Sequence, residues 1–140
     1  MSPFKDGWNE ADVEAVIARN DPDELLYVPI AIGMNAHAVS RPWAENICFS
    51  LSKHPDFNVR GNAILGLGHI ARTCGDLDCE KALPIISAAL SDEHQYVRGH
   101  ANDASMDLEM YLGILVPGYD GEATEAFFDA VEELKRKHGL

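Results

Sequence analysis

The segment Lys53-His54-Pro55-Asp56-Phe57-Asn58-Val59-Arg60-Gly61-Asn62-Ala63 returns 38 residues later as Ser91-Asp92-Glu93-His94-Gln95-Tyr96-Val97-Arg98-Gly99-His100-Ala101. A chain that repeats itself at such a period is confined to architectures made by stacking one small unit, because a single copy cannot bury its own apolar face. The same offset carries Ile47 onto Ile85, Gly66 onto Ala104 and Ile70 onto Leu108. Size and polarity are kept at the positions a helix would bury.

Each copy reads as two helices joined by a tight turn. In one copy the first helix spans about 42 to 53, opening at Pro42, where a missing N–H donor costs nothing, and burying Ile47, Cys48 and Leu51. Its partner spans about 57 to 73, with Val59, Ala63, Gly66, Leu67 and Ile70 at helical spacing and Gly75 as the stop. In the other copy the helices run about 79 to 90, lined by Leu83, Ile86 and Leu90, and 95 to 112, lined by Val97, Ala101, Ala104 and Leu108, with Gly113 beyond the end. Ala63, Gly66, Ala101 and Ala104 are small enough to let neighbouring helices approach closely.

Upstream, 9 to 19 reads as an amphipathic helix with Val13, Val16 and Ile17 inward, and 23 to 37 as another, irregular at Pro29 and Gly33. Subtracting 38 makes this pair a third, degenerate copy. Downstream, the Pro-Gly and Asp-Gly pairs mark 115 to 121 as a loop. A last helix, about 122 to 137, carries Ala126, Phe127, Ala130, Val131 and Leu134 on one face and Lys135-Arg136-Lys137 in its final turn, and is expected to cap the stack.

At 140 residues and 46% hydrophobic, the chain can bury one core, so a single domain over 1–140 is expected. It has no apolar run long enough to span a bilayer, and Met1 to Asp6 lacks the basic-then-apolar order of a secretion signal, so a cytoplasmic location is expected. Cys48, Cys74 and Cys79 cannot all pair, which fits reduced thiols. The net charge of −12 is uneven. Residues 91 to 133 hold eleven acids against the single base Arg98, a local net of −10. Such a region repels phosphate, disfavouring nucleic acid and anionic membranes and favouring a basic protein partner.

The run Asp56-Phe57-Asn58-Val59-Arg60-Gly61-Asn62-Ala63-Ile64-Leu65-Gly66-Leu67-Gly68-His69-Ile70-Ala71 resembles the second half of a HEAT repeat, in which Asp and Val-Arg precede Ala, Ala-Leu-Gly and Ile or Leu. The second copy matches at Val97, Arg98, Ala101, Ala104 and Leu108 and departs at Ser105 and Met106. The resemblance covers about 42 to 113 well and 9 to 37 weakly. It implies an all-α, α-α superhelix of about three helix pairs (9–37, 42–73, 79–112) plus a C-terminal capping helix. It also implies that Arg60 and Arg98 bond between neighbouring repeats, and that the second helix of each pair lines a concave surface. The family consists mostly of scaffolds and adaptors.

Removing the buried positions from those second helices leaves an exposed stripe. It runs through Asn62, Leu65, His69 and Arg72 in the middle copy, His100, Asp103, Asp107 and Met110 after it, and Glu24, Tyr27, Ala31 and Met34 before it. Apolar Tyr27, Met34 and Leu65 among polar Asn62, His69, His100, Asp103 and Asp107 have the composition of a recognition surface. These eight are the expected partner-binding residues. Small, acidic, helical, cytosolic proteins resemble the immunity partners of bacterial contact-dependent growth inhibition and other polymorphic toxins. That likeness implies an antitoxin that neutralises a basic, nuclease-type toxin domain.

The alternative is a metal-binding HEAT-repeat enzyme or regulator using His69, His100, Asp103 and Asp107, since two imidazoles and two carboxylates can ligate a divalent ion. The HEAT-repeat hydroxylases place His-Glu pairs at repeat starts, where this chain has Asn62-Ala63 and His100-Ala101. No phosphate loop or nucleophile elbow is present, and the acidic charge is wrong for helical-repeat base-repair enzymes. The expectation is therefore a non-enzymatic chain without a cofactor.

Overall fold

The computed structural model describes residues 9–139, those of 122–128 by backbone alone. The first residues, weighed above as a leader, lie outside the described residues, as do the side chains of Ala126 and Phe127. Among the described residues every regular element is helical: α1 (Glu10–Arg19), α2 (Pro22–Leu25), α3 (Val28–Met34), a 3-10 turn (Ala36–Ala38), α4 (Arg41–Leu51), α5 (Phe57–Cys74), α6 (Cys79–Ala89), α7 (Gln95–Leu112) and α8 (Gly121–Lys137).

The sequence repeat is a structural one. Both ends of α6 fall 38 residues after those of α4, and both ends of α7 fall 38 after those of α5. Gly75 and Gly113 close α5 and α7 in the left-handed region, at φ 64° and 66°, where a side chain would be strained. The turns share two hydrogen bonds, although Asp56 caps α5 with its side chain and His94 does not cap α7. The Asp56 N–H donates to His54 Nδ1 (3.0 Å), as the His94 N–H donates to Asp92 Oδ1 (2.9 Å). Arg60 donates to the His54 carbonyl (3.1 Å), as Arg98 donates to the Asp92 carbonyl (2.6 Å). A histidine and an aspartate thus fill one slot, because that slot needs only an acceptor two residues before the N–H it serves.

These turns also join the copies. Arg60 grips Asp92 with two parallel hydrogen bonds, Nε to Oδ2 at 2.8 Å and Nη2 to Oδ1 at 2.9 Å, with both side chains largely buried. With Nδ1 of His54 accepting, its Nε2 carries the proton and donates to Asn20 Oδ1 at 2.9 Å. The Arg60 guanidinium holds the Asp92 carboxyl below its ordinary value, so the pair contributes fully above about pH 4 and is lost as pH falls through the depressed value. Asp92→Asn is expected to cost about 1–3 kcal/mol at neutral pH, with the mutant and parent denaturation midpoints converging in acid. A gap that persists unchanged at pH 3 would refute the ion-pair account.

The irregular first copy has a physical cause. The helix expected over 23 to 37 is broken at Leu26 and Tyr27, and its end tightens into the 3-10 turn. Pro29 sits in the first turn of α3, where it can start a helix but cannot donate to a preceding one. The core runs through Val13, Leu25, Val28, Ile32, Cys48, Val59, Leu67, Ile70, Ile86, Val97 and Leu108 without interruption. Central α5 is flanked by α3 on one side and α7 on the other, with α4 packed against it as well. Gly66 and Gly33 make the first crossing possible: a Cβ on Gly66 would lie 2.6 Å from the Pro29 carbonyl oxygen, and one on Gly33 would lie 2.6 Å from that of Gly66.

At the other end, the loop after α7 packs onto the core. Val116 is fully buried and Tyr119 nearly so, while Ser87 donates to the Pro117 carbonyl at 2.6 Å. On α8, Ala130 and Leu134 are exposed, Leu134 by 57%. Val131, on the same face, is half-buried. Ser105, which stands where the middle copy has core Leu67, is fully buried and satisfies its hydroxyl on the Ala101 carbonyl one turn back (2.7 Å).

Candidate functional site

α3 and α7 both pack against α5, so the residues of the expected row lie on neighbouring helices. Tyr27, in the turn before α3, is 66% exposed, and Met34 at the end of α3 is 50% exposed. Leu65 and His69 on α5 are half-buried, as are His100 and Asp107 on α7, and Asp103 is exposed. Met110, a turn beyond Asp107, is 66% exposed.

Asn62 does not belong to this exposed row. It is 1% exposed, and its amide is a clamp between three segments: Nδ2 donates to the Leu26 carbonyl (2.6 Å) and Oδ1 accepts from the Tyr96 hydroxyl (2.5 Å). Periodicity within α5 left position 62 outside the buried set, but flanking helices on two sides widen the buried arc of α5 to include it. His100, 38 residues on, stays half-exposed because α7 is not flanked in the same way.

The clamp brings in a residue the stripe omitted. Tyr96, 38% exposed, stands edge-on to His100 (4.4 Å between ring centroids, 76°) and to Phe57 (6.0 Å, 73°), and Phe57 stacks on His94 (3.9 Å, 9°). Burial and then the nearby Tyr27 phenol push the Tyr96 hydroxyl upward, against the opposing pull of the Asn62 hydrogen bond. Tyr27 and Tyr96 are thus neighbours across the buried amide. The sequence signal for Tyr96 was an aromatic residue in the first turn of α7, one turn before His100 on the same helical face.

Charge along the rest of the row is mixed. Arg72 donates to His69 Nδ1 at 2.7 Å, a bond that requires that nitrogen to be unprotonated, and burial followed by Arg72 and His100 lowers the His69 imidazole. Burial raises the Asp107 carboxyl and Asp103 adds to it, while Arg72 pulls the other way. His100 Nδ1 lies 3.7 Å from Asp103 Oδ2.

The four residues of the metal alternative, His69, His100, Asp103 and Asp107, are not gathered into a ligand set among the described residues. His69 turns Nδ1 to a guanidinium, and among the described residues no three His, Cys, Asp or Glu side chains converge to hold an ion. The thiols do not converge either: Cys48 is fully buried and pushed up to about 12 by that burial, and Cys79 is raised for the same first cause. No family model, curated protein or solved structure matches this chain. Among the described residues no helix is long and apolar enough to cross a membrane. What these positions offer is a partly apolar surface carrying tyrosine, methionine, histidine and carboxylate groups.

Proposed function

We propose that this chain is a protein-binding module of HEAT-like build, whose α3–α5–α7 edge is the concave face that receives a basic protein. More narrowly, we propose an immunity or antitoxin role in which it neutralises a nuclease-type toxin domain. The observation that carries the binding reading is the row itself: Tyr27, Met34 and Tyr96 are large, exposed and mounted on a rigid three-helix support. Exposed aromatic and methionine side chains ringed by polar groups are how interfaces concentrate their energy. The antitoxin reading adds the charge of −12, which draws a cationic cleft into encounter and competes with the phosphate that cleft would otherwise hold.

Charge reversal at Asp103 and Asp107 tests the reading. The double variant Asp103→Lys, Asp107→Lys is expected to weaken capture of the native partner about tenfold at 50 mM salt and only about threefold at 300 mM, with helicity unchanged. Equal weakening at every salt concentration would rule out electrostatic steering. A pull-down from the native source supplies the partner, and a large exported protein encoded beside this one would support the antitoxin role.

A further inference from the structure

One end of the row is built differently from the other. Near Asp107 the cation Arg72 is already in place beside His69 and the carboxylate, so that end carries its own counter-charge. Towards the α7 N-terminus the row presents aromatic rings, and at mid-helix an acid, with no lysine or arginine bonded to them among the described residues. Tyr27 is 66% and Tyr96 38% exposed, and the Asp103 side chain is half exposed, with only the His100 imidazole at 3.7 Å. The Tyr96 ring is held in place, its hydroxyl fixed on Asn62 and its ring braced by Phe57 and His100, and the backbone just before Tyr27 is tied to the same amide through the Leu26 carbonyl.

Resting on the binding-module reading above, we propose that this end of the row receives an arginine-bearing segment of the partner, one guanidinium against the Tyr27 and Tyr96 rings and a second at the Asp103 carboxylate. Four physical points carry it. A tyrosine face attracts a cation through its quadrupole, and the planar guanidinium both stacks on rings and bonds carboxylates through two parallel donors, which an ammonium does not do. A cationic occupant complements a chain of net charge −12. Asn62 and its partners have already fixed the Tyr96 ring, so little ordering is lost on binding. Position 96 to position 103 spans about 10 Å along a helix at 1.5 Å per residue, so the two guanidinium groups must be spaced to match.

A polyproline-type peptide with arginine at every third residue, Ac-Arg-Pro-Pro-Arg-Pro-Pro-Arg-amide, places its cations on one face about 9 Å apart and is the probe. It is titrated into the full chain by calorimetry, beside the isosteric peptide in which citrulline replaces arginine. The arginine peptide is expected to bind and the citrulline peptide to bind at least tenfold more weakly. Tyr27→Ala is expected to cost about fivefold, Tyr27→Phe to cost less than twofold because the ring face is kept, and Asp103→Asn to cost about fivefold. Neutralising Glu132 and Glu133 on α8 serves as the control for bulk acidity and is expected to change binding less than twofold. Equal binding of both peptides, no binding of either, or equal losses in the Tyr27→Ala and α8 variants would each overturn the proposal. Tyr27 is exposed, so Tyr27→Ala is expected to fold, and thermal melts verify that it does. If the peptide fails while the native partner is still captured in a salt-sensitive way, the arginine site falls and the binding module stands. If the peptide binds as described and no protein partner is captured, the site stands and the module reading falls.

Discussion

Gly66→Ala is expected to destabilise the chain by about 3 kcal/mol or more, lowering the melting temperature by about 10 °C. The added methyl would lie 2.6 Å from the Pro29 carbonyl oxygen and 2.9 Å from Cys48 Sγ. Neither neighbour yields easily. Pro29 is backbone held by its own ring, and Cys48 is fully buried in the core. Relief therefore requires α3 to move off α5, which separates Val28 and Ile32 from Leu67 and Ile70. Gly99→Ala, in the same kind of helix, is the contrasting control: nothing lies within 4 Å of the added methyl. There alanine is expected to be neutral or to stabilise by up to about 1 kcal/mol through its better helix propensity. Denaturant midpoints for the two variants check the contrast, and similar midpoints would mean that the α3–α5 crossing is not close-packed as described.

That contrast shows what could be read from the amino-acid order. The 38-residue echo gave the helix ends of α4 to α7 because helix caps, turn acceptors and small residues at crossings are local requirements. Gly66 and Gly68 could be assigned to packing from their place inside a helical pattern, and a Cβ on Gly68 would indeed lie 3.0 Å from Ala104 Cα. Position in the stack is not local. Asn62 and His100 occupy equivalent places, yet one is sealed and the other half open, because α3 and α7 both pack on α5 and close around position 62. The same limit hid Tyr96, whose importance comes from an amide 34 residues away.

The buried amide gives the second large effect. Asn62→Leu keeps nearly the same volume and removes both hydrogen bonds, leaving the Leu26 carbonyl and the Tyr96 hydroxyl to compete for whatever water can reach them. A buried polar group stranded in this way costs more than the bond itself contributed, so a loss of about 2–4 kcal/mol is expected. Tyr96→Phe removes one of the two bonds and leaves the Leu26 carbonyl paired, so it is expected to cost about 1 kcal/mol. Because the two substitutions delete the same contact, the double variant should be less destabilised than the summed singles by about 1 kcal/mol. Simple additivity in that cycle would mean that the Tyr96 hydroxyl does not rest on Asn62. Partner binding should separate the two roles. Asn62→Leu frees the Tyr27 turn and the Tyr96 ring from a common post, so affinity falls although Asn62 itself is out of a partner's reach. Tyr27→Ala removes an exposed anchor, so affinity falls while stability stays within about 0.5 kcal/mol of the parent.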